Sequence, residues 1–128
     1  MSVIKNEASR RNFILTAVRA QLEHRALWLY LLCDEARKHG LEWEAFASDA
    51  VMRCGLQHGA AFVGGGGAKS LKGLRKKLFT MPGRQVFEMK VRESTDDSLS
   101  IDFHYCPLVK AWQRQGLGDR FCELRFHR

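Results

Sequence analysis

Long apolar runs are missing from this chain of 128 residues. The longest, ALWLYLLC from Ala26 to Cys33, falls well short of the roughly 20 residues that cross a bilayer, and no charged, apolar, small-residue leader precedes it. A cytoplasmic protein with no membrane partner is therefore expected. Paired cysteines are missing too. Cys33, Cys54, Cys106 and Cys122 are scattered with no C-x-x-C, which argues against a zinc ribbon or a disulfide scaffold and makes reduced thiols the default. There is no internal repeat and no interdomain linker. Residues 1–128 read as a single domain, long enough to bury roughly two-thirds of its unfolded surface.

A complete phosphate loop is also absent. VGGGGAKS, Val63 to Ser70, places Lys-Ser before a helix, but Val63 and Ala68 stand where the pattern needs glycine. The segment reads instead as a flexible glycine loop able to close over a ligand. Acidic surplus is lacking as well, since the net charge is +7. That charge is local. Between Lys69 and Arg92 eight basic residues face Glu88 alone, and this surplus equals the whole excess. The stretch has no interleaved exposed aromatics and no reader motif, so nucleic acid is disfavoured as a partner and a solvated face that attracts an anionic substrate is the expectation.

What is present is a succession of helical and strand-like periods. Apolar positions from about Ser9 to Lys38 predict a first helix with Phe13, Ala17, Ala20, Leu27 and Leu31 on one side, stopped by Gly40. Its second half is apolar nearly all round, which predicts a path through the middle of the fold. A second helix is expected over about Glu42 to Cys54, before Gly55 and Gly59 loosen the pattern. A short basic helix follows from Lys69 to Phe79, then a turn at Met81-Pro82-Gly83. The period next changes to two. Phe87, Met89 and Val91 share one face and Leu99, Ile101, Phe103 and Tyr105 return, with the turn at Asp96-Asp97-Ser98, which predicts a β-hairpin. Pro107 suits the first position of another helix with Leu108, Ala111 and Trp112 buried and Gly116 at its end. A final segment, Asp119 to Arg128, begins as a helix. The fold class is thus α+β: a helical N-terminal half packed on a small antiparallel β-hairpin, followed by C-terminal helices. A two-stranded hairpin is marginal alone, so it must pack on helices or pair with another chain, and a homodimer that extends the sheet is an option.

Cys33 and Cys54 fall on apolar helix faces and read as small hydrophobes. Cys106 differs. It sits just before a proline-initiated helix, whose free N–H groups and dipole stabilise a thiolate. Strand alternation puts His104 on the same face, where an imidazole can take the thiol proton, and Asp102 continues that face and could orient the histidine. A cysteine filling a corner of the core would suit the same position equally. Arg25, inside an otherwise apolar helix, needs a partner and is a candidate clamp for a carboxylate, although a salt bridge is at least as good a reading. His104-x-Cys106 is the only close pair of metal-ligand types, too few for structural zinc, so neither a metal nor another cofactor is expected.

FHYCPLVKAWQRQGLGDRFCEL, Phe103 to Leu124, resembles the C-terminal signature of the L-2-amino-thiazoline-4-carboxylic acid hydrolase family: a strand ending in Cys-Pro-Leu, a helix with an aromatic and a closing glycine, then a second cysteine. EHRALWLYLLCDEARKHG is similar to the family's long first helix, and RCGLQHGAAF to its helix-to-glycine passage. The resemblance implies hydrolysis of a C–N bond in a small cyclic amidine, opening the thiazoline ring toward N-carbamoyl-cysteine in bacterial cysteine production. It implies Cys106 as nucleophile or as positioner of a water and His104 as proton carrier; Cys122, one helix hairpin away, reads as a second site residue, a metal co-ligand with His104 or a core residue. The partner would be a small-molecule carboxylate. One departure stands out: in the family an aspartate and further chain usually follow the second cysteine, whereas here Glu123 follows Cys122 and LRFHR ends the sequence. Either Glu123 serves as that acid or part of the pocket is absent. The alternatives are a catalytically silent relative that binds a small anion or a protein, and a basic nucleic-acid binder whose affinity would fall steeply with salt.

Overall fold

Asn12, with an extended backbone, caps the first helix, its side chain accepting from the Leu15 N–H at 2.9 Å; the asparagine thereby satisfies one of the amides that a helix start leaves open. In the computed structural model, which describes residues 5–117, this helix, α1, spans Phe13–Lys38. It closes where Gly40 adopts φ 81° and the Leu41 N–H reaches the Ala36 carbonyl at 2.9 Å, a left-handed stop that glycine makes without a Cβ penalty.

The remaining elements are α2 (Trp43–Gly64), α3 (Leu71–Leu78), a four-residue α4 (Gly83–Val86), β1 (Met89–Ser94), β2 (Leu99–Phe103) and α5 (Pro107–Arg114). The α+β architecture is as the sequence pattern indicates. β1 and β2 pair antiparallel, Met89 opposite Phe103 and Val91 opposite Ile101, with an irregularity between Val91 and Glu93. Beyond the strands the ladder continues through His104 N–H to Glu88 carbonyl and Tyr105 N–H to Phe87 carbonyl.

The core lies where α5 crosses α1. Trp112, 1% exposed, sits with Val109 and Ala111 against Ala26 and Cys33 of α1 and Ala47 of α2. Its indole N–H donates to the Ala26 carbonyl at 2.9 Å, so the large ring is buried with its polar atom satisfied. Small residues at 26 and 47 leave room for it.

Several details depart from the sequence pattern. The buried line of α1 is Leu15, Arg19, Ala26, Cys33 and Ala36, whereas Phe13 is 88% exposed and Leu31 is exposed. The expected line assumed that the most apolar face is covered, and α5 covers the small-residue face instead. For the same reason α1 does not run through the middle: Trp28 and Leu32 remain exposed. α2 continues ten residues past Cys54, its glycines included, and Cys54 is exposed. The glycine run is no open loop. Gly65, Gly66 and Gly67 donate their N–H groups to the carbonyls of Ala61, Val63 and Phe62, so these amides terminate α2 and are committed before any phosphate could use them. At 81–83 the Met81–Pro82 peptide is cis and leads into α4.

Candidate functional site

Cys106 is the N-cap of α5, half-buried, with a free thiol and extended backbone (φ −135°, ψ 111°). Pro107 carries no N–H, and the Cys106 side chain makes no capping bond, so the next amides of the helix start remain available to negative charge. Only the backbone of Cys106 is pinned. The side chain of Asn6, 6% exposed, accepts from the Cys106 N–H and donates to its carbonyl, both at 2.9 Å. A single amide thus completes the ladder that β2 leaves unfinished at this residue, and it fixes the backbone from which the thiol projects.

Residues 5–12 continue across the base of the hairpin. The N–H groups of Ser9 and Arg10 donate to Glu88 Oε2 at 2.7 and 3.1 Å, and Lys110 Nζ meets Glu7 Oε1 at 3.0 Å. Glu88 alone among the described non-glycine residues has a positive φ, 47°, a conformation that surrounding contacts must hold in place. Those contacts include Arg19, whose guanidinium donates to the carbonyls of Val86 (3.0 Å), Arg10 (2.6 Å) and Gln85 (3.2 Å) and to Glu88 Oε2 (3.3 Å), and lies 4.8 Å from the centre of the Tyr105 ring. Burial pulls the Glu88 carboxyl upward, but the Arg10 and Ser9 amides and the Arg19 charge outweigh it and hold the group below the ordinary carboxylate range.

A cleft of about 440 Å³ opens beside this network, between residues 9–10 and the α4–β1 passage, lined by Ser9, Arg10, Met81, Arg84, Gln85, Glu88, Met89 and Lys90. Three cations surround it, and its one carboxylate already serves Ser9, Arg10 and Arg19. Of the other cations in this stretch, Lys72 meets Asp96 at 3.6 Å, Lys77 donates to the Gly67 carbonyl at 2.5 Å and Arg92 meets Asp102 at 2.9 Å. Lys69, Arg75 and Lys76 have no ion pair among the described residues, and Arg75 Nε is buried there without a hydrogen-bond partner. The side chains of Arg10, Arg84 and Lys90 have no such partner among the described residues, so the cleft suits a small anion. Its lining residue Glu88 is bonded through its carbonyl to the His104 N–H, two rungs from the Cys106 junction, with the Tyr105–Phe87 bond between.

A second cleft of about 250 Å³ lies at the other end of α1, lined by Tyr30, Cys33, Asp34, Arg37, Trp43 and Leu117. Asp34 there is engaged by Arg37 at 2.9 Å and Lys38 at 3.3 Å. Burial pushes the Cys33 thiol up, toward its neutral form.

The residues singled out in the sequence distribute as follows. His104 is exposed and Tyr105 between it and Cys106 is 5% exposed; no hydrogen bond joins the His104 ring to Cys106 among the described residues. Asp102 faces Arg92 across the hairpin and does not bond His104. Arg25 is exposed, without an ion pair among the described residues. The buried arginine of α1 is Arg19, six residues earlier. Cys122 lies outside the described residues. Asn6, Arg19 and the Arg10–Arg84–Lys90 cleft were not indicated by the sequence pattern: Asn6 meets its partner across 100 residues of chain, and no periodicity registers such a contact. Among the described residues no three His, Cys, Asp or Glu side chains come together as metal ligands, and no helix is long and apolar enough to cross a membrane.

Residues 19–127 match the family model described as L-2-amino-thiazoline-4-carboxylic acid hydrolase. No curated protein and no solved structure matches the chain.

Proposed function

The chain belongs to the L-2-amino-thiazoline-4-carboxylic acid hydrolase family, and from that premise we propose that it opens the ring of a small cyclic amidine carboxylate by hydrolysis, with Cys106 as the reacting group. The observation that carries this reading is the position of Cys106: a half-buried free thiol at the start of a proline-initiated helix, its backbone clamped by Asn6 and its side chain left unbonded. Helix-start amides favour negative charge that develops beside them.

For 2-amino-thiazoline-4-carboxylate the steps balance as follows. Cys106 Sγ adds to ring carbon C2, the thiol proton passing to His104 or water. The C2–ring sulfur bond breaks and that sulfur takes a proton, leaving an isothiourea on Cys106. Water then adds to the same carbon and the Cys106 thiol departs, giving N-carbamoyl-cysteine with a net gain of one water. N-carbamoyl-cysteine thus requires cleavage of the ring C2–S bond and not of the C–N bond expected from the resemblance; breaking the ring C2–N bond would leave the carbamoyl group on sulfur, so the product identifies the bond. We assign the substrate carboxylate to the cations of the basic cleft, Arg84, Lys90 and Arg10, which Cys106 itself does not line, so this part of the reading requires the cleft and the thiol to serve the same small molecule.

The test is incubation of the purified protein with 2-amino-thiazoline-4-carboxylate while new small-molecule thiol is titrated. Thiol release supports the reading and C2–S cleavage. Release of a free amine without thiol assigns C2–N cleavage, and no ring opening overturns the proposal. Removing one charge-assisted bond with Arg84→Ala is expected to raise KM about tenfold or more, with kcat nearly unchanged.

A further inference from the structure

A single carboxylate falls short of the charge gathered at the basic cleft. Among the described residues that line it, Arg10, Arg84 and Lys90 have no ion pair and Glu88 is the one acid. That acid is already balanced. Buried Arg19 lies 3.3 Å from Glu88 Oε2, and the Ser9 and Arg10 N–H groups bond the same oxygen. Of the acids on neighbouring segments, Glu7 is held by Lys110 at 3.0 Å, and Asp102, opposite Lys90 across the hairpin, is held by Arg92 at 2.9 Å. Three positive charges therefore remain around one opening. One arginine fork satisfies both oxygens of a carboxylate, which leaves a second arginine and a lysine to be matched.

The cations are also carried on a fixed frame. Arg19, 6% exposed, donates to the Arg10 carbonyl on one wall of the cleft and to the Gln85 and Val86 carbonyls on the other. One guanidinium thus ties the two walls together and sets the spacing of the backbones that bear Arg10 and Arg84. Lys90 is fixed by its place in the β1–β2 ladder. A frame set beforehand loses little in ordering when a ligand arrives. The volume, about 440 Å³, lies within the roughly 300–1,000 Å³ of pockets that enclose drug-sized molecules. Met81 and Met89 add an adaptable apolar side.

On the reading that cleft and thiol serve the same molecule, we propose that the cleft takes a ligand with at least two negative charges, so that the substrate opened at Cys106 carries a second anionic group beside its carboxylate. A second carboxylate or a phosphoryl group answers the same need, since either brings further oxygens to the unmatched cations. 2-Amino-thiazoline-4-carboxylate, with its one carboxylate, then engages only part of the cleft.

Titration of the full chain with acetate, succinate and inorganic phosphate, at about pH 8 and constant ionic strength, reads the site without any need for turnover. The amide chemical shifts of Arg10, Arg84 and Lys90 report where the anion binds. Succinate or phosphate is expected to bind at least tenfold tighter than acetate, and whichever is stronger identifies the second group. Arg84→Gln and Lys90→Gln should each remove most of that preference. Lys76→Gln, which removes an exposed cation outside the cleft, should bind as the wild type does. The preferred dianion should also compete with 2-amino-thiazoline-4-carboxylate for ring opening. Equal affinity for acetate and both dianions overturns the proposal, as does an equal loss of binding in Arg84→Gln and Lys76→Gln. So does the lack of saturable binding up to about 100 mM, or a bound dianion that leaves ring opening unaffected. A wild type that opens no ring yet keeps the Arg84-dependent preference overturns the ring-opening reading alone and supports the dianion site.

Discussion

Replacing Asn6 by alanine removes both bonds that hold the backbone of Cys106, and its cost can be worked from the structure. Asn6 is 6% exposed and each bond is 2.9 Å. The Cys106 carbonyl keeps a second partner, the Lys110 N–H at 3.0 Å, but the Cys106 N–H is left without one in a partly buried place. Two ordinary bonds of about 1 kcal/mol, one of whose donors is left unsatisfied, set the loss at about 2 to 3 kcal/mol. For a domain of this size about 4 °C accompanies each kcal/mol, so the melting temperature is expected to fall by about 10 °C. The same change loosens the thiol's direction, and a misplacement of about 1 Å is enough to lower kcat/KM by tenfold or more. Asn6→Asp separates the two bonds: its carboxylate still accepts from the Cys106 N–H but repels the carbonyl. Glu7→Ala removes only the exposed contact to Lys110 and serves as the control. Thermal denaturation and steady-state turnover check the set. A melting temperature within about 2 °C of wild type for Asn6→Ala would show that the clamp carries no weight and refute the reasoning.

Arg19→Lys keeps the charge but cannot reproduce a fork serving three carbonyls and Glu88; a loss of about 3 kcal/mol is expected by chemical denaturation, and a loss below 1 kcal/mol would mean that the fork is dispensable. Glu88 has a folded pKa below its unfolded one, so its contribution is present above the ordinary glutamate value, about 4.3, and is lost as pH falls through the folded pKa. Glu88→Gln should therefore be less stable than wild type at neutral pH and show a shallower loss of stability on acidification; parallel curves would contradict this. Iodoacetamide, followed by peptide mass mapping, should leave Cys33 last, since that thiol is 2% exposed and pushed toward its neutral form; Cys33 reacting before Cys106 would contradict the assignment of roles.

Much of the architecture was legible because it rests on local periodicity. The change of period at Phe87, the turn near Asp96 and the proline that opens α5 each declare themselves within a few residues. Two kinds of feature did not. Faces of α1 were misread because apolarity indicates which side can be buried, not which side a neighbour reaches: Trp112 needed the small residues Ala26 and Cys33, and the bulkier Trp28, Leu31 and Leu32 stayed outside. α2 was ended too early because Gly55 and Gly59 lower helix propensity, a weak prior that context overrides. Of the candidate site, only the local part was legible. Cys106 stood out from proline, strand end and thiol together, while its clamp Asn6, the Arg19–Glu88 knot and the basic cleft are contacts between residues far apart in sequence. Arg25 illustrates the same limit: it was expected to need a partner, but it is exposed and has no ion pair among the described residues, while the arginine of α1 that is buried and multiply bonded is Arg19.

The measurement that bears most directly on this account is turnover of 2-amino-thiazoline-4-carboxylate by the wild type beside Cys106→Ala, with circular dichroism to confirm that both are folded. The account predicts ring opening by the wild type and a fall of at least a thousandfold in kcat for the variant, the order expected when a nucleophile is removed and only binding and electrostatics remain. Equal rates in the two proteins would contradict it and leave the thiol at the start of α5 as a packing residue.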